Sequence, residues 1–331
     1  MDYQYNGVLP PLSKERKRKR RLRRLRDDLK SYVFLLPFIV GALVFTAYPI
    51  IMSLLFSFSD WNGGGATQMG IFNYVELFTR GATGKFDFMI HSFGITFLFT
   101  IVSTVVNLVL SYVLALFLYN KIKGIRIIRV LCYLPCLIPG LASMYLWKDV
   151  FQYATPSPLH PYQGLGLFNV WLKNLGLPTA TFFSSASTAM ASLIISGLWN
   201  LGGGMIMWLA AFGNISPEYY EAAKIDGAGY FRRLFSITLP LSTPILFYNM
   251  VVSLIAGLQV FGTMAAYGVG PSDKHGRASL NFIAVYIYMT AFGTDSAQGL
   301  ACAMSWLLFV VIGALTLIMF KTGGWVKYGD E

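Results

Sequence analysis

The chain has 331 residues, of which 55% are hydrophobic and only 12% charged, and its formal net charge is +11. Globular domains carry about 25% charged residues and reach about 45–50% apolar only with glycine counted, so one water-soluble core cannot hide this much hydrocarbon. The composition excludes a cytosolic α/β enzyme, a disulfide scaffold and a disordered tail, and it implies an integral membrane protein.

The chain opens on a basic segment, residues 1–31. The run Lys14-Glu15-Arg16-Lys17-Arg18-Lys19-Arg20-Arg21 stands just before the first apolar stretch. That position fits an orientation signal that attracts anionic membrane lipid, at about 1 kcal/mol per basic residue, and no nucleic-acid partner is needed. The apolar run Val33–Phe58 follows. It is too long for the ~7–15-residue core of a signal peptide. Further uncharged stretches occupy Ser92–Leu118, Val130–Trp147, Ala186–Gly213, Leu239–Gly268 and Ser296–Phe320. Each reaches the roughly 17–25 residues that a crossing helix needs. None alternates like a barrel strand, and backbone amides in lipid must pair internally. The expected fold is all-α with six transmembrane helices in residues 32–325, followed by a tail at 326–331. Ala278–Thr294 is also uncharged but short, and is expected to lie on the outer surface or dip partway in.

Several breakers fall inside these stretches: Pro37 and Pro49, Pro135 and Pro139, Gly202-Gly203-Gly204, and Pro244. Two readings stay open. They are packing devices between helices, or kinks that open a polar cavity.

Residues 14–30, 119–129, 214–238 and 321–331 hold twenty of the 26 Lys and Arg residues, and the remaining loops hold six. The positive-inside rule then puts both termini in the cytoplasm. Cys132, Cys136 and Cys302 lie in apolar runs, and His91, His160 and His275 are isolated. They suggest neither a disulfide framework nor a metal site. Asn107, Asn200, Asn249 and Gln259, with Trp199, Tyr248 and Phe261, are candidates to line a solute pathway. Amides and flat rings suit a neutral hydroxylated ligand, although each could equally bond a neighbouring helix. No apolar stretch carries a charge, which argues against an ion-coupled pump built on buried carboxylates.

The most informative segment is the loop at 214–240, between the fourth and fifth stretches. Ser216-Pro217 reads as an N-cap and first helical residue. Glu218 and Glu221 sit near the positive end of the helix. Gly227 is the first glycine able to end the helix in the left-handed region. A second short helix is expected from Tyr230, stopped by Leu239-Pro240. Small residues (Ala222, Ala223, Ala228, Gly229) permit close approach of another backbone.

Glu221-Ala222-Ala223-Lys224-Ile225-Asp226-Gly227-Ala228, followed by Leu239-Pro240, resembles the EAA loop of binding-protein-dependent ABC importer permeases. Tyr32-Val33-Phe34-Leu35-Leu36-Pro37, Tyr48-Pro49, Asp60-Trp61-Asn62 and Gly268-Val269-Gly270-Pro271 are similar to the maltose and oligosaccharide branch of that family. The resemblance implies a non-catalytic permease subunit of the cytoplasmic membrane that carries a sugar or oligosaccharide. It implies a second permease as partner, and an extracytoplasmic solute-binding protein. It also implies a cytoplasmic ATPase dimer, with ATP and Mg on that partner and no cofactor in this chain. Glu221, Ala222, Ala223, Asp226 and Gly227 would form the ATPase contact. No GxxxxGK[ST] loop occurs; Gly81-Ala82-Thr83-Gly84-Lys85 is too short. The alternative cargo is glycerol phosphate or a polyamine, but a phosphate would want basic residues in the pathway. An embedded enzyme lacks a catalytic constellation here, and a channel would leave the loop unexplained.

Overall fold

A computed structural model describes residues 32–66, 68–79, 85–120, 123–155, 163–293 and 296–326. The basic segment 1–31, residues 81–84 of the glycine-containing loop, His160, the turn residues 294–295 and the tail from 327 lie outside the described residues. The chain divides into two units, residues 1–56 and 57–331. Among the described residues all elements are helical, with two isolated antiparallel bridges, Ser59 with Met69 and Ser272 with Ala278.

The first unit contributes helix α1, Tyr32–Ser57, which ends on the first residue of the second unit. A π-turn at Leu43–Ala47 interrupts it just before Pro49. A proline ring clashes with the carbonyl four residues earlier, here Phe45, and the widened turn accommodates it. The helix therefore runs through Pro49.

The second unit begins with α2, Phe72–Phe78, and α3, Lys85–Tyr119. At 35 residues α3 is roughly 50 Å long, more than the ~30 Å of a bilayer's hydrocarbon. Then come α4, Ile125–Leu137, and α5, Gly140–Val150, which meet at 96°. After α6, Leu167–Asn174, follow α7, Ala189–Gly213, and α8, Pro217–Ile225. The pair α9, Tyr230–Leu241, and α10, Thr243–Leu258, is bent by 61°. Short α11, Thr263–Tyr267, and α12, Ile283–Phe292, precede α13, Gln298–Trp325. Among the described residues four helices are thus long and apolar enough to cross a membrane, and the two bent pairs could each serve as one further span.

Helix α3 is the central post. Its buried Ser92, Thr96, Thr100, Thr104 and Ser111 fall on one face, where small polar side chains let other helices approach. Gly204 of α7 lies so near that a Cβ there would be 3.0 Å from Ser111 Cβ, and one at Gly257 of α10 would be 2.7 Å from Thr100 Cγ2. A Cβ at Gly202 would run into the carbonyl oxygen of Cys132 in α4. Around these contacts Trp208, Phe212 and Met205 of α7 bury with Ala115 and Leu118 of α3. The Trp208 indole donates to Ser111 Oγ at 3.1 Å.

Gly202 and Gly204 are therefore close-packing positions, and α7 continues through the glycine run. Three other expectations are corrected. The stretch Val130–Trp147 is not one kinked helix: after a 3₁₀ turn at Leu134–Leu137, Ile138 and Pro139 are extended, and the chain turns through nearly a right angle. Leu239–Gly268 is likewise not one helix, since α10 ends at Leu258 and α11 is separate. Nor does Leu239-Pro240 stop the helix from Tyr230. A π-turn at Leu234–Thr238 precedes Pro240, the same accommodation as at Pro49, and the break comes at Ser242. The 278–294 segment contains a helix of only ten residues, Ile283–Phe292.

Candidate functional site

The 214–240 loop is built from local bonds. Ser216 Oγ accepts from the Glu218 amide at 3.4 Å, and Pro217 opens α8. At the far end Gly227 has φ +75°, a conformation that costs other L-residues about 1–2 kcal/mol. The Ala228 amide donates to Ala223 O at 2.8 Å and the Gly227 amide to Lys224 O at 3.0 Å. This double bond pattern is the Schellman close, which satisfies the last carbonyls without outside help. One side-chain pin is added: the Tyr220 hydroxyl lies 3.0 Å from Thr238 Oγ1 of α9.

With its backbone closed, α8 has no fully buried residue, and only Tyr220 and Ala223 are half-buried. Glu221, Ala222, Asp226 and Gly227 are exposed and Ala223 is half-buried. Ile225 is 88% exposed, and Phe231 and Phe235 of α9 are 71% and 63% exposed. Among the described residues these apolar side chains make no buried contact within the chain. Behind the loop lies a cavity of about 410 Å³, floored by Phe212 and Leu234 and rimmed by Glu221, Lys224 and Arg233. Burial raises the Tyr220 hydroxyl above the ordinary tyrosine value, with its bond to Thr238 opposing.

The pathway candidates fall into separate groups. Gln259 and Phe261 share a hollow of about 580 Å³ with Tyr288 and Phe309. The rings of Phe261 and Tyr288 are 5.2 Å apart. Trp199 meets Trp147 edge-on at 5.7 Å, and Trp147 in turn stacks on Phe151. The carbonyl of Asn200 accepts from Cys136 Sγ at 3.5 Å. Asn107 lies beside Gly204, where α3 and α7 cross. On α10, Tyr248 is exposed and Asn249 Nδ2 is buried without an acceptor among the described residues. Tyr288 and the Tyr220–Thr238 pin were not singled out as site residues by the sequence, because each acts through a partner on another helix. No cluster of three or more His, Cys, Asp or Glu suited to a metal occurs among the described residues.

Residues 108–326 match the family described as binding-protein-dependent transport system inner membrane component. The chain is 32% identical over 310 residues to the probable ABC transporter permease protein YesP of Bacillus subtilis (strain 168), spanning 92% of this chain and 94% of that one. It is 28% identical over 303 residues to the multiple sugar-binding transport system permease protein MsmF of Streptococcus mutans, spanning 91% and 97%. Its fold is similar to a chain of a bacterial ABC transporter involved in the import of the acidic polysaccharide alginate. That match has TM-score 0.76 and 23% identity, and covers 92% of this chain and 98% of the other.

Proposed function

The chain belongs to the family of binding-protein-dependent transport system inner membrane components, and from that premise we propose that it is the permease subunit of an ABC importer moving a sugar or oligosaccharide across the cytoplasmic membrane. Three kinds of observation support the sugar cargo. Relatives such as MsmF carry that description, a chain of an importer of alginate has a similar fold, and one amide, Gln259, and the rings of Phe261 and Tyr288 line a shared hollow. In this reading α1, α3, the α4–α5 pair, α7, the α9–α10 pair and α13 are the six crossings. Both termini face the cytoplasm, as the Lys and Arg distribution requires.

The observation that carries the proposal is α8: a self-closed helix whose Glu221, Ala222, Asp226 and Gly227 are all left exposed. Such a helix suits a groove on a separate cytoplasmic ATPase, because docking leaves its own backbone bonds intact. ATP and Mg are held by that ATPase, and this chain performs no chemistry. Closure of the ATPase dimer displaces α8, and α9, pinned to it through Tyr220 and Thr238, carries the displacement toward α10. A second permease completes the pathway, and the two rock about the solute site. An extracytoplasmic binding protein supplies the sugar. The coupling is a free-energy linkage, so solute delivered outside and nucleotide bound inside each bias the same two states.

The test is co-purification. The intact chain retains an ATPase subunit, the Glu221→Lys variant loses it, and the purified chain alone hydrolyses no ATP. An ATPase retained equally by both forms would refute the contact.

A further inference from the structure

We propose that the cavity behind the 214–240 loop binds the phosphate of an anionic lipid from the adjoining leaflet. The inference rests on the reading above for one point only, that this loop faces the cytoplasm. The cavity, about 410 Å³, lies at the ends of α3 and α7 and is closed by α8 and α9. Its lining mixes apolar side chains with hydroxyl, amide and charged groups. Leu116, Phe212, Ile215 and Leu234 are apolar, whereas Lys224 and Arg233 supply two cations against the single carboxylate of Glu221 in the lining. Arg233 Nε is buried and has no acceptor among the described residues. Arg233 as a whole is half-buried; the unmade bond at Nε is costly, and a guanidinium takes a phosphate through charge-assisted bonds.

The apolar part of the lining selects the source of that phosphate. It adds nothing for inorganic phosphate, but it receives the glycerol and upper acyl stem of a lipid whose headgroup sits between Lys224 and Arg233. Basic pockets between helices at the cytoplasmic level are suited to such headgroups. The bound lipid bridges α8 through Lys224 and α9 through Arg233, and so sets the pose of the loop.

The decisive experiment is native mass spectrometry of the detergent-extracted, assembled importer, titrated with phosphatidylglycerol, phosphatidylcholine or inorganic phosphate. Phosphatidylglycerol is expected to bind where phosphatidylcholine does not. Arg233→Gln is expected to weaken it about tenfold, the effect of losing one charge-assisted contact. Arg232→Gln, which removes an exposed cation outside the cavity, should leave binding unchanged. Equal weakening by both variants would mean diffuse attraction and overturn the site, as would equal binding of phosphatidylcholine. Displacement of the lipid by inorganic phosphate would overturn the lipid assignment in favour of a soluble anion. If Arg233→Gln does not assemble, Lys224→Gln makes the same comparison. The same spectra show whether an ATPase remains bound: lipid absent with ATPase present defeats this inference alone, and ATPase absent with lipid present defeats only the coupling reading.

Discussion

The α3–α7 contact and the α8 loop are held together by opposite means. Where α3 meets α7, stability comes from residues far apart in sequence: Trp208 is 1% exposed and bonded to Ser111, and Gly204 touches the same serine. In α8 no residue is fully buried, and a serine cap, a proline and a left-handed glycine close the helix within its own sequence. The first region cannot change shape without repacking. The second keeps its own backbone bonds whatever packs against it, as the proposed coupling role requires.

The contrast predicts where substitutions act. Trp208→Ala has the largest expected effect, about 3–5 kcal/mol of lost stability, read as a fall in the melting temperature of detergent-purified protein. Gly202→Ala follows at about 1–3 kcal/mol, because the new Cβ meets the backbone of Cys132. Gly203→Ala is its control, since the nearest atom to that Cβ is Cys136 Sγ at 3.8 Å; it should stay within about 0.5 kcal/mol. Equal losses at 202 and 203 would break the claim that close helix approach, and not helix propensity, places these glycines.

The third prediction crosses to the loop. At Gly227 a Cβ meets nothing within 4 Å but inherits φ +75°. Gly227→Leu should cost only about 1–2 kcal/mol locally and leave global melting nearly unchanged, while solute uptake per ATP hydrolysed collapses. Gly227→Asn sharpens the result, because asparagine tolerates the left-handed region. Uptake restored by asparagine assigns the defect to the turn; uptake still lost assigns it to the docking surface. Normal uptake by the leucine variant would separate the loop from transport.

The same contrast explains what the sequence could reveal. Ser216, Pro217 and Gly227 act on neighbours within a few residues, so the helix and its ends were readable without the fold. Pro135 and Pro139 marked where the chain breaks but not a 96° turn, which depends on how α4 is held against Gly202 of α7. Gly202-Gly203-Gly204 admitted both packing and kinking, and only the positions of Cys132 and Ser111 decide between them. Pro240 looked like a stop because the π-turn that accommodates it leaves no mark in residue type. The hollow holding Gln259 and Phe261 takes Tyr288 from α12, a pairing that no local pattern encodes.

The smallest expected effect tests the one place where the two regions join. The Tyr220 hydroxyl, 3.0 Å from Thr238 Oγ1, ties the self-closed α8 to the helix that leads into α10. Tyr220→Phe keeps the ring and removes the bond, at a cost of about 1 kcal/mol, too little to unfold the protein. Because burial raises the folded-state pKa of Tyr220 above the ordinary 10.0, its hydroxyl stays protonated when the free side chain would ionise. This contribution is complete below the ordinary tyrosine range and is lost as pH rises through the raised value. Hydrogen exchange of the 218–228 amides should therefore accelerate above pH ~10 in the wild type, once the intrinsic base-catalysed rate is divided out, and in Tyr220→Phe that extra step should vanish. Since the hydroxyl is also the pin, the variant should show faster exchange already at neutral pH. If exchange is unchanged at both pH values, the pin carries no load, and α8 must communicate with α10 through the backbone of residues 229–242 alone.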